Sequence, residues 1–235
     1  MPRSRSRFLA YARLLRLPNA FTAMADPLAG WFVVGGGEPW WQLPLLVGAS
    51  ACFYTSGIVF NDCFDYELDK LERPERPLPS GEISRNTAWV LGAGLMASGL
   101  VLAMCVGRVT FGIGAFLAAL ILFYDAWARQ FASLRPWVLG GCRFANFLLG
   151  MRCTPARFWW FPAILGTYVG IVTFLSLHEA GNPKLQASIG RLLLGIIVVD
   201  AALVAIAPMG DWIGAGLVLS LLIPAMALGK VFVMT

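Results

Sequence analysis

The chain has 235 residues, of which 58% are hydrophobic and 13% charged, with a formal net charge of +5 and a mean hydropathy of +0.71. Soluble domains carry roughly 25% charged residues, so this composition excludes an ordinary water-soluble fold and points to an integral membrane protein. The positive charge reads as orientation and contact with anionic membrane lipid, and no nucleic-acid partner is needed to explain it.

In chain order, the opening "MPRSRSRFLAYARLLRLPN" holds five arginines. Arg13 and Arg16 interrupt the apolar run that a cleavable signal peptide needs, so this end is expected to be a cytoplasmic amphipathic lead-in. Apolar stretches that approach the roughly 20 residues needed to cross a bilayer follow one another, separated by short polar turns. They are Asn19–Val34, Leu43–Phe60, Thr87–Val106, Thr110–Tyr124, Trp137–Met151, Phe158–Leu177, Leu192–Ala207 and Trp212–Leu228. The expectation is an all-α polytopic transmembrane helix bundle of about eight spans, forming one domain over residues 1–235. With the N-terminus in the cytoplasm, the loops at 62–86, 125–136 and 178–191 share that side. Of the 18 Lys and Arg, only Arg108, Arg143, Arg152 and Arg157 then fall elsewhere. This bias agrees with the positive-inside rule and supports that topology; the expected location is the cell inner membrane, with the active site on the cytoplasmic side. The five cysteines show no CxxC or Cys/His spacing, and packing is their expected role.

Charge is concentrated after the second span, in "NDCFDYELDKLERPERPLPSG". These 21 positions, Asn61 to Gly81, hold six of the chain's 13 acidic residues together with Lys70, Arg73 and Arg76. No Gly or Pro precedes Pro74, so the second helix is expected to run on past the membrane surface. Asp62, Asp65 and Asp69, spaced three and four apart, then share one helix face within about 10 Å along the axis. Such a stripe of like charges at a membrane interface is costly unless a cation neutralises it, and oxygen-only ligands favour a hard ion such as Mg²⁺. Mg²⁺ is commonly shared between one or two carboxylates and substrate phosphates, which makes a diphosphate the natural third party. Asn61 adds an amide beside the stripe, and Lys70, Arg73 and Arg76 follow where basic groups pair with phosphate oxygens. A merely solvated helix end would explain neither the stripe spacing nor the leading Asn with the trailing "RPERPLPSG".

"NDCFDYELD" followed by "RPERPLPSGEIS" resembles the first aspartate-rich motif, NDxxDxxxD with RPxRPLPSG, of the UbiA superfamily of intramembrane prenyltransferases. "RLPNAFTAMADPLAGWFV" is similar to the family's first helix. The resemblance implies a helix bundle open toward lipid, Mg²⁺ on the aspartates, and transfer of a polyprenyl group from its diphosphate to a lipophilic acceptor. By matching positions it implies that Asn61, Asp62, Asp65 and Asp69 are metal and diphosphate residues, with Arg73 and Arg76 the adjoining basic ones. "LFYDAWARQ" is similar to the family's Tyr and basic segment, which assigns Tyr124 and Arg129 to the diphosphate; the usual Tyr-Pro and Lys are absent.

An Arg within a span is a functional-site candidate, so Arg143 and Asn146, three apart on one face, are expected to reach the active-site cavity. The alternative is a snorkelling Arg with Asn146 bridging helices. The family's second motif, DxxxD, belongs near "TFLSLHEAGNPK". None occurs there: either Glu179 alone substitutes as a second metal or diphosphate contact, or this half of the site is weakened. Asp26 and Asp200, isolated in apolar spans, either line the cavity or make structural hydrogen bonds. The family commonly has nine helices, against the eight counted here.

The implied reaction is ionisation of an allylic polyprenyl diphosphate, with Mg²⁺ and the basic residues stabilising the leaving group, followed by capture at an aromatic ring or a hydroxyl. Competing readings on the same residues are a terpene cyclase, a phosphoribosyl transferase acting on polyprenyl phosphate, and a non-catalytic polyprenyl-lipid carrier.

Overall fold

The computed structural model describes residues 2–37, 39–152, 156–178 and 182–229. Its elements are α1 (Pro2–Leu14), α2 (Leu17–Val33), α3 (Gln42–Phe64), α4 (Tyr66–Glu72), α5 (Arg85–Val106), α6 (Arg108–Ala126), α7 (Arg135–Met151), α8 (Trp160–Ser176), α9 (Pro183–Ile206), α10 (Trp212–Ser220) and α11 (Leu222–Gly229). No strand occurs among the described residues. Each of the eight apolar stretches is helical. By length and composition, α3, α5, α6, α9 and the segment Trp212–Gly229 can cross a membrane, while α8 is apolar but only 17 residues long.

Local chemistry sets most helix ends. Ser84 caps α5 by accepting the Thr87 N–H at 3.1 Å, and Asn182 caps α9 by accepting the Leu185 N–H at 3.2 Å, with Pro183 in the first turn. Pro224 lacks an N–H for the Ser220 carbonyl, and the last apolar segment breaks at Leu221 between α10 and α11. The described cysteines Cys52, Cys63, Cys105 and Cys142 are free.

α2 is the central helix, with α3, α7, α9, α10 and α11 packed around it. Small residues permit the closest approaches, as expected where packing between apolar surfaces holds helices together. A Cβ on Gly140 of α7 would lie 2.6 Å from the Gly166 carbonyl oxygen of α8, and one on Gly150 would overlap Pro27 of α2. Large apolar side chains such as Val90, Val101, Phe116, Ile171 and Ile213 point outward instead, forming the surface that lipid covers.

Pro27 lies inside α2 and has no N–H to give to the Ala23 carbonyl. That carbonyl is satisfied from neighbouring helices, accepting Ser50 Oγ of α3 and Asn146 Nδ2 of α7, both at 2.8 Å. A helix interruption inside an apolar bundle is thereby converted into a three-helix junction.

The N-terminal lead-in is helical and packed. Ala10 and Leu14 of α1 are buried with Val59, Cys63, Leu78, Ile83 and Ala88, so α1 clamps the segment that follows α4 against α3 and α5.

Candidate active site

The aspartates do not lie on one uninterrupted helix. α3 ends at Phe64, and Asp65, with φ −83° and ψ 1°, separates it from the short α4. The correction has a physical basis: Asp is a poor helix-interior residue, and its carboxylate here is held by Arg129 from another element. Backbone bonds nonetheless continue across the bend, with the Asp65 N–H donating to Asn61 O at 2.9 Å and the Asp69 N–H to Asp65 O at 2.8 Å. The three carboxyl groups therefore stay at the same end of the bundle, as their spacing predicts.

Each carboxylate is met by a guanidinium. Arg16 Nη2 donates to Asp62 Oδ1 at 2.9 Å. Arg76 Nη1 reaches both Asp69 Oδ2, at 2.7 Å, and Asp62 Oδ1, at 3.6 Å. Arg129 pairs with Asp65. Asp62 and Asp69 are each 4% exposed, so these pairs sit where solvent screening is weak. The loop that carries Arg76 is fixed by bonds from Ser80 N–H to Arg76 O and from Ile83 N–H to Pro77 O, both 3.0 Å, and by the burial of Leu78 and Ile83. Gly81 turns it with φ +77°, a conformation that glycine adopts without strain.

Arg73 and Lys70 stand apart from the carboxylates. Arg73 is exposed at the end of α4. Lys70 pairs with Glu67 at 3.2 Å and lies over the Tyr66 ring, 4.3 Å from its centroid; the Glu67 hydrogen bond raises its amino pKa.

Beside the aspartates opens a cavity of about 330 Å³ between α2, α3, α6, α7, α8 and α9. Arg16, Asn61, Tyr124 and Asp125 line it, as do Tyr54, Arg143 and Asn146, and the remainder is largely apolar, with Phe53, Ile58, Leu117, Ile121, Leu139, Val169, Leu193 and Ile196. Asn61 Nδ2 donates to Asp125 Oδ1 at 3.4 Å, which joins α3 to α6 at the cavity wall. After α6 the chain turns through a 3₁₀ segment at Ala128–Gln130, which returns Arg129 to Asp65.

Arg143 and Asn146 do line the cavity, yet their hydrogen bonds go elsewhere. Arg143 Nη1 donates to Asp26 Oδ2 at 3.1 Å and to Thr22 O at 2.9 Å, and Nη2 donates to Thr22 Oγ1 at 3.0 Å. Asn146 Nδ2 donates to Asp26 Oδ2 at 2.7 Å. Asp26 and Asp200 are both 0% exposed, and they interact with each other and with Arg143. Of the two expectations for Asp26, structural hydrogen bonding is the one observed. Glu179 lies outside the described residues.

Sequence reasoning missed Arg16, which it treated only as part of the basic tail. It holds a left-handed backbone, φ 44° and ψ 50°, between α1 and α2, a conformation uncommon for a non-glycine residue. Its position just before "LPN" was the available signal.

Among the described residues no three acidic, His or Cys side chains are arranged to hold a metal ion as they stand. The donor chemistry of Asp62, Asp65 and Asp69 nevertheless fits a hard divalent cation, and the arginines now neutralise the charge that such an ion would.

A helical membrane bundle with an acidic and basic cluster at the mouth of an apolar cavity is the class of protein that this geometry defines. The UbiA prenyltransferase family model matches residues 20–234, and the chain belongs to that family. It is similar to the digeranylgeranylglyceryl phosphate synthase of Sulfolobus acidocaldarius, 35% identical over 127 residues, covering 53% of this chain and 44% of that protein. The enzyme of the same name from Methanopyrus kandleri is 29% identical over 166 residues, covering 68% and 60%. The chain thus matches about half the length of these curated relatives. Among solved structures, a digeranylgeranylglyceryl phosphate synthase aligns with TM-score 0.66 and 20% identity over 94% of this chain and 95% of that one. A UbiA homolog from Archaeoglobus fulgidus bound to GPP and Mg²⁺ aligns with TM-score 0.63 and 21% identity over 96% and 89%.

Proposed function

We propose that the protein is a Mg²⁺-dependent intramembrane prenyltransferase that moves a polyprenyl group from an allylic diphosphate to a lipophilic acceptor. The observation that carries this reading is the meeting of three arginine-paired aspartates with an apolar, Asn61- and Tyr124-lined cavity inside a bundle of this family. The Archaeoglobus fulgidus homolog, bound to GPP and Mg²⁺, supports donor and ion. The relatives' name favours a geranylgeranyl donor and a hydroxyl of a glyceryl phosphate over an aromatic ring. The excess of Lys and Arg at this end supports a cytoplasmic site and a cytoplasmic N-terminus.

Asp62, Asp65 and Asp69 would hold the ion. Bound Mg²⁺ supplies Lewis-acid stabilisation of charge on the leaving diphosphate. Arg16, Arg76 and Arg129 hold the carboxylates in place when no ligand is bound, and each can turn to a phosphate oxygen once the acids have another counter-charge. Arg73 at the rim and Lys70 beyond it add positive charge that attracts the diphosphate. Asn61 and Tyr124 present polar atoms where the cavity meets the acids. The apolar wall excludes water from the allylic cation and accommodates the prenyl chain.

The test is labelled geranylgeranyl diphosphate and Mg²⁺ with purified protein and membrane extract as the source of acceptor. Diphosphate release is expected, abolished by chelation and reduced at least about 100-fold in Asp62→Ala and Asp65→Ala. Binding without release would instead mark a lipid carrier.

A further inference from the structure

The Asp200 carboxyl of α9 is fully buried, and neither of its oxygens receives a hydrogen bond from a donor among the described residues. Within hydrogen-bonding reach of it lies the Asp26 carboxyl of α2. Two ionised carboxylates have only acceptors to offer each other, so a bond between them needs a proton. Charge accounting asks for the same proton. Among the described residues Arg143 is the only cation acting on Asp200, and its own hydrogen bonds go to Asp26 and Thr22. Tyr54 of α3, whose ring centroid lies 5.6 Å from the Arg143 guanidinium carbon, brings no positive charge. Two ionised acids against one guanidinium would leave a net negative charge in the apolar interior of the bundle, where a carboxyl is far cheaper to hold neutral.

The donors decide which acid carries the proton. Asp26 Oδ2 accepts from Arg143 Nη1 at 3.1 Å and from Asn146 Nδ2 at 2.7 Å, surroundings that suit an ionised carboxylate, whereas Asp200 accepts from none. We propose that Asp200 is a neutral carboxylic acid that holds one proton for the pair and donates its O–H to Asp26, an interior proton site that joins α9 to the α2–α7 junction. The cluster of Asp26, Arg143 and Asp200 is then neutral as a whole. Asp200 stands one turn beyond Ile196, a residue of the cavity wall, so the same bond sets where α9 closes that wall. The inference is independent of the prenyltransferase reading.

Infrared spectroscopy of the full chain in detergent at neutral pH tests it through the carbonyl stretch of protonated carboxylic acids. The unaltered protein is expected to show such a band that is missing from Asp200→Asn, whose amide donates to Asp26 in place of the O–H and leaves the melting temperature nearly unchanged. Asp200→Leu, similar in size but without a donor, should lose the same band and melt about 2–4 °C below Asp200→Asn, the shift that one lost hydrogen bond gives in a chain of this size. It also repeats the infrared comparison should the amide disturb folding. A protonated-carboxyl band that is the same in the unaltered protein and in either folded variant overturns the inference, because Asp200 is then ionised. A melting temperature of Asp200→Leu at or above that of Asp200→Asn overturns the bond to Asp26.

Discussion

The molecule contains two clusters of Asp and Arg that differ in what their charges are for. In the interior, Asp26 is fully buried and receives bonds from Arg143 and Asn146, while Arg143 also binds the Thr22 carbonyl and hydroxyl. That cluster ties α2 to α7, and its guanidinium is held by the Thr22 carbonyl and hydroxyl as well as by Asp26. At the end of the bundle, Asp62, Asp65 and Asp69 meet Arg16, Arg76 and Arg129, which come from the α1–α2 junction, the loop after α4 and the turn after α6. Those pairs join flexible side chains across segment ends, and under the proposed function an ion with its diphosphate would supply the same charges in exchange. The ion pair inside the span holds the fold; under the proposed function the pairs at its edge would hold a place for a ligand.

Breaking the interior cluster should have the largest structural effect. Arg143→Met leaves Asp26 buried beside Asp200 without its cation, and truncating one partner of a buried pair costs about 3–5 kcal/mol. The expected outcome is a lower melting temperature in detergent, with activity lost only as folded protein is lost. Normal stability together with a specific loss of diphosphate release would instead move Arg143 into the catalytic site.

A smaller, purely functional effect is expected at the edge. Arg16→Ala removes a charge-assisted bond to Asp62, and such bonds contribute about 1.5–3 kcal/mol. If that interaction passes to a phosphate oxygen in the complex, KM for the prenyl diphosphate should rise about 10- to 100-fold while the melting temperature changes little. A change in stability alone would make Arg16 a second structural pair and erase the contrast.

Hydropathy made the bundle legible: the eight apolar stretches are all helical, because a chain in lipid must satisfy its backbone internally. The acidic stripe was legible from its spacing. The break at Asp65 was not, since no Gly or Pro announces it and the pairing with Arg129 comes from 64 positions further on. The union of Asp26 with Arg143, 117 positions apart, was hidden for the same reason: each looked like an isolated charge until α2 and α7 crossed at Pro27 and Gly150. Arg16 was obscured by the arginines around it, which share its composition but not its left-handed turn.

The smallest effect is expected at Lys70, and it sharpens the contrast from the edge side. Sequence spacing set Lys70 next to the aspartates as a phosphate ligand, whereas α4 turns it to Glu67 and the Tyr66 ring. Exposed pairs of this kind contribute little, so Lys70→Ala should change KM for the prenyl diphosphate by no more than about twofold. A tenfold rise would mean that Lys70 abandons Glu67 for the diphosphate when ligand arrives. The edge cluster would then extend along α4 beyond the three arginines, and the exchange of carboxylate for phosphate would reach Lys70 as well.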